Sequence, residues 1–262
     1  MNKTATGVNF LNLSDESVDF QEMILDAERC YPTFNFRHKV ETILFYTERS
    51  DFGRYIWKAY GMPDRRSGAE KSAHYPLGDK SVIGVEVYGG LTKSLLTYEM
   101  GHAVEHYRLQ TDFEKYGEWK DRDGYFFWSE FFCQAHASFE RKKSIHENDI
   151  YLNELPFYLE ARDEISKGEN IRHVYLALIR SMSDLFYYVD KSDEDAIHLF
   201  LERFERMTDE PFMELYDELF NYLMDYFKKY GKDYSKLHNY KFFEILEDYK
   251  EEFTDYFLKH QL

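Results

Sequence analysis

The chain has 262 residues, of which 33 are basic and 49 acidic, giving a formal charge of -16. So acidic a balance excludes binding to nucleic acid or an anionic membrane by bulk charge. With 44% hydrophobic and 19% aromatic residues the chain is no acidic disordered tail, and its length buries a sizeable core in one large domain or two closely packed ones.

The first twenty residues lack a basic stretch followed by an apolar run, so no secretion signal is expected there. No segment reaches the roughly 18 unbroken apolar residues of a membrane span. Cys30 and Cys133 are too few for a disulfide framework and suit a reducing cytoplasm. The helical period predicts helices over residues 15–29 and 35–60, the second with Phe36, Val40, Ile43, Leu44 and Trp57 along one side. Cys30-Tyr31-Pro32 between them reads as a turn.

Glycine and proline crowd residues 50–90 and become rare afterwards, so the front of the chain is mixed and the back helical. Val82, Ile83, Val85 and Val87, closed by Gly89-Gly90, make the strongest strand, with a partner strand expected near 70–77. Residues 91–110 carry Leu96, Met100, Ala103, Val104 and Tyr107 in one arc about 100° wide, which is a core-facing helix. A helix over 125–143 follows the loop Asp121-Arg122-Asp123-Gly124. Further helices are expected near 150–166, 170–190, 193–206, 210–230 and 238–259, with Asp193 and Asp209 as caps. The fold class is therefore α+β, mostly α. A core with a small β-sheet is expected over residues 1–149, and an extensive helical C-terminal region over 150–262. No flexible linker divides the two, so packing as one domain is equally open.

One constellation carries chemistry. His102 and His106 lie four apart on the helix over 91–110, about 40° apart around its axis and away from the apolar arc, so both imidazoles can meet a Zn²⁺ ion about 2 Å from each nitrogen. A zinc hydrolase also needs a carboxylate beside that face to take a proton from the water the metal activates. Glu105 and Glu99 each lie about 60° from His102, on opposite sides. His102-x-x-Glu105-His106 is the H-x-x-E-H order, with Glu105 as base. Glu99-x-x-His102 is the end of H-E-x-x-H, with Glu99 as base and Tyr98 where the first histidine belongs. Glu130 is the candidate third ligand: it stands among Phe126, Phe127, Trp128, Phe131 and Phe132, where an unpaired carboxylate would be costly. His136 points about 120° away from Glu130. The blander readings pair Glu130 with Arg108 or Arg141, leave Glu105 solvated, and assign the Tyr/Phe richness to core.

The run from a strand through a short turn into Leu95-x-x-Tyr98-Glu99-Met100-Gly101-His102, followed by a helix bearing Trp128-Ser129-Glu130-Phe131-Phe132, resembles the zincin-like metallopeptidases of the ImmA/IrrE type and related small gluzincins. It covers residues 80–140. The resemblance implies a zincin-like core, with His102 as the second zinc histidine, Glu99 as general base and Glu130 as third ligand. Tyr98 departs from the pattern. A phenolate or water then fills that place, or His106 replaces it one turn along, or the metal has been lost.

The leading expectation is a cytoplasmic zinc-dependent peptidase acting on protein or peptide substrates, with Zn²⁺ on His102, His106 and Glu130. Glu105 or Glu99 would be the base, and Tyr98, Tyr107 or His74 would stabilise the oxyanion. The alternative is an inactive zincin-like pseudo-peptidase serving as a protein-binding or regulatory module, for which Tyr98 is the sequence support. An acidic decoy of nucleic acid is disfavoured because basic residues are interspersed through the same helices. Neither substrate identity nor oligomeric state is written in any local motif.

Overall fold

The computed structural model describes residues 2–64, 70–111, 123–144, 193–207 and 210–230, together with single positions between and beyond them. It is mostly helical with one small mixed sheet, an α+β fold. The chain forms two compact units, one of residues 1–113 with 136–145 and the other of residues 114–135 with 146–262.

The first unit holds the sheet. Its strands are β1 (Asn2–Lys3), β2 (Asn9–Asn12), β3 (Val40–Tyr46), β4 (Ser72–Leu77) and β5 (Lys80–Glu86), in the order β1-β2-β3-β5-β4. β2, β3 and β5 run parallel, while β1 and β4 are antiparallel edges. Its helices are α1 (Phe20–Arg29), the single turn α2 (Phe36–Lys39), α3 (Arg49–Tyr60) and α4 (Thr92–Thr111).

The helix expected over 35–60 is overturned, because β3 occupies its middle. Thr42, Ile43, Leu44, Phe45 and Tyr46 are all fully buried in the centre of the sheet. A strand covered on both faces shows a continuous apolar run instead of alternation, and β-branched and aromatic residues favour it. The helix expected over 15–29 begins later, at Phe20, where the Asp19 side chain accepts from the Glu22 amide. The strand over 81–90, its partner near 70–77 and the helix over 91–110 appear as β5, β4 and α4.

Period-two alternation sorts the sheet into two faces. Leu44, Tyr46, Ala73, Tyr75 and Val82 pack with Phe52 and Ile56 of α3. On this face a Cβ at Gly84 would lie 2.0 Å from the Phe52 ring, so the close approach of α3 requires glycine there. Phe45 lies on the opposite face, stacked on Phe20 of α1 with ring centroids 4.1 Å apart. α4 packs against α1, β4 and β5 on that same face.

The second unit contributes the helices α5 (Asp123–Ser144, shared with the first unit from His136 onward), α6 (Glu194–Met207) and α7 (Glu210–Tyr230). Leu215, Leu219, Leu223 and Tyr226 form one buried stripe at spacings of three and four along α7. Pro211 sits in its first turn, where a missing N–H removes no helical bond. The helices expected near 150–166 and 170–190 fall almost wholly outside the described residues, as does Asp209. Near 238–259 only single positions are described, and these are helical. No helix among the described residues is long and apolar enough to cross a membrane.

Candidate functional site

Gly89 starts the site, turning the chain from β5 into α4 with φ +52°, a left-handed conformation that glycine adopts without a Cβ penalty. Thr92 then closes the turn, its hydroxyl accepting from the Tyr88 amide at 2.8 Å and donating to the Gly89 carbonyl at 3.0 Å. From there α4 buries Leu96, Met100, Ala103 and Tyr107 as expected, while Val104 stays partly exposed.

Glu99, His102 and His106 fall within about 60° of helical arc. The strand facing α4 supplies two more polar groups. Residues 72 and 74 of β4 share one face, and the Ser72 hydroxyl donates to Glu99 Oε1 at 2.7 Å in a buried bond. Two residues on, the His74 and His106 ring centroids are 5.6 Å apart at 62°. His74 Nε2 is buried and has no hydrogen-bond partner among the described residues. Burial holds this imidazole well below the ordinary histidine range, and the charges of His102 and His106 push it further down.

Tyr98 stands edge-on to His102, with centroids 4.6 Å apart at 85°. Tyr107 is 2% exposed, lies edge-on to His106 and has the Lys39 ammonium 4.8 Å from its ring centre. Both candidate bases are buried, Glu99 to 4% and Glu105 to 3% exposure, but Glu99 is the one turned toward β4. Glu130 is 8% exposed on α5, beside buried Trp128, Phe131 and Phe132, and belongs to the second unit. His136 belongs to the first unit and tilts against Tyr31, 4.5 Å between centroids.

Among the described residues, no three His, Cys, Asp or Glu side chains stand ready as they are to hold a metal ion. Ser72 was missed by sequence reasoning, and His74, named there only as a candidate for the oxyanion, was not expected to approach His106. The available signal was the alternation Ser72-Ala73-His74-Tyr75, which puts two polar groups on one side of a strand next to the helix.

No family model, curated protein or solved structure matches the chain.

Proposed function

We propose that the chain is a zinc-dependent, peptidase-like hydrolase of the cytoplasm, with a zincin-like core and protein or peptide substrates. The observation that carries this reading is the Ser72–Glu99 bond, which fixes a buried carboxylate on the helix face that bears His102 and His106. His102 and His106 would hold the ion together with a third protein donor. When bound there, zinc would supply Lewis acidity for the scissile carbonyl and for a water. Glu99, its Oε1 held by the Ser72 hydroxyl, would be the base that takes a proton from water and returns it to the leaving amine. Tyr98, one turn before His102 and edge-on to it, would be the donor to the developing oxyanion.

Metal analysis and turnover of the purified chain test the proposal. Stoichiometric zinc that is lost in His102→Ala, with Glu99→Gln abolishing peptide hydrolysis while keeping the metal, is the expected result. Absence of zinc, or metal content indifferent to His102, overturns it. Loss of turnover in Glu105→Gln but not in Glu99→Gln would move the base to Glu105.

A pseudo-peptidase that binds a protein partner is the second reading, favoured by Tyr98 packing edge-on where the zincin pattern has a ligand. Under it, Tyr98→His creates hydrolysis of a generic peptide library that the native chain lacks.

A further inference from the structure

We infer that the cleft at the C-terminal end of α1 binds a free α-amino acid with an apolar side chain, its ammonium on Glu28 and its carboxylate on Arg37. No residue of this cleft belongs to the histidine face of α4, so the inference stands apart from the zinc reading.

Three elements of the first unit build the cleft: the turn between β1 and β2, the last turn of α1, and the segment from Tyr31 into α2. Its volume is about 470 Å³, within the range of about 300–1,000 Å³ usual for a small-molecule site. Packing inside the fold holds its wall in place. Tyr31 is buried, its hydroxyl donates to the Thr97 carbonyl at 2.7 Å, and its ring meets Phe36 at 6.0 Å between centroids. Phe34 stands edge-on to Phe36 at 4.7 Å. With Leu25 beside them, these rings suit an apolar side chain.

Glu28 lies where a carboxylate is poorly served. Thr6 donates to its Oε1 at 2.8 Å, but Oε2 is buried with no hydrogen-bond partner among the described residues. Burial opposes the negative charge, and the Thr6 bond alone eases it. Glu28 also sits in the last turn of α1, where the unpaired helix carbonyls already concentrate negative charge. An ammonium donating to Oε2 relieves the orphaned oxygen, the desolvated charge and the helix end together.

Arg37 supplies the opposite charge. Its side chain lies over Gly7, where a Cβ would be 3.1 Å from Cδ and 3.2 Å from Nε. Thr6 and Gly7 are consecutive, so one turn steadies the carboxylate and the guanidinium on residues about 3.8 Å apart at Cα. The two charges do not neutralise each other, because the Thr6 bond is what eases Glu28. Opposite charges held close but separate match the ammonium and carboxylate that an α-amino acid carries on one carbon. Arg29 and Arg37 along the cleft also disfavour a polyamine, whose further cations they would repel.

The test is calorimetric titration of the full chain with L-leucine, beside isopentylamine, which lacks the carboxylate, and isocaproate, which lacks the ammonium. Leucine should bind saturably, and each truncated analogue more weakly by at least about tenfold, the loss expected for a missing charge-assisted bond. Glu28→Gln and Arg37→Gln should each weaken leucine binding by a similar factor, while Trp57→Ala, at an exposed position of α3, should leave it unchanged. Glu28→Gln is expected to be the more stable protein near neutral pH, so lost binding in that variant is not lost folding. Absence of saturable leucine binding, affinity unchanged in Glu28→Gln or Arg37→Gln, or an affinity for either truncated analogue equal to that for leucine overturns the inference. Tighter binding of dileucine than of leucine overturns it in favour of a peptide terminus.

Discussion

The Ser72 hydroxyl reaches across from an edge strand to Glu99 on α4, 2.7 Å from Oε1, and both residues are buried. Hydrogen bonds to charged groups contribute about 1.5–3 kcal/mol when sheltered from water. Ser72→Ala should therefore destabilise the chain by about 2 kcal/mol in urea unfolding. It should also cut peptide turnover more than it weakens zinc affinity. A double-mutant cycle with Glu99→Gln should return a coupling of about 1 kcal/mol or more, and additivity would show that the pair does not interact in solution.

The close approach of α3 to the sheet gives a second prediction. A methyl group at position 84 would lie 2.0 Å to 2.6 Å from three atoms of the Phe52 ring, which is itself fully buried. Gly84→Ala should cost about 3 kcal/mol, at the upper end for an overpacked core. Adding Phe52→Leu should recover part of the loss, as read by the unfolding midpoint of the double variant.

The turn into α4 predicts a smaller and more selective effect. Space around a Cβ at Gly89 is open, so the penalty there comes from φ +52° alone. Gly89→Ala should cost about 1 kcal/mol in thermal or urea unfolding, and Gly89→Asn, which tolerates left-handed backbone, less than half of that. Equal penalties for the two would mean the turn is not held in that conformation.

Glu28 supplies the pH dependence. Burial pushes its carboxyl above the ordinary value of 4.5, against the opposing bond from Thr6 at 2.8 Å, and its Oε2 is buried without a hydrogen-bond partner among the described residues. An acid whose folded value is raised binds its proton more tightly when folded. Its ionised form thus opposes folding above the folded value, and this opposition fades as pH falls through that value toward 4.5. Glu28→Gln should raise the melting temperature near neutral pH, with the gain shrinking as pH falls toward 4.5. A gain independent of pH would assign the effect to something other than the charge.

The parts of this fold that were legible in the sequence are those whose signal is local. The β-branched run before Gly89-Gly90 and the 3.6 period after it gave β5 and α4 at nearly their observed limits, and His102, His106 and Glu99 share a face because helical geometry alone puts them there. β3 was not legible: a central strand is buried on both sides, and Val40, Ile43 and Leu44 happen to fall at helix-compatible spacings. His74 was legible only as a polar residue near a strand, because its approach to His106 depends on β4 pairing with β5 in one register and on α4 crossing that face. Glu130 was correctly read as buried among aromatic side chains, but burial alone does not say what a carboxylate faces.

The parallel ladders carry a cost in time. Asn9 has to find Thr42, and Val40 has to find Ser81, each across some thirty to forty intervening residues, and closing loops of that length before any contact rewards it slows folding. β4 can zip onto β5 as a tight local hairpin, yet it acquires a helix to face only when α4 docks on the assembled sheet. His74 and His106 therefore meet late, and so do Ser72 and Glu99.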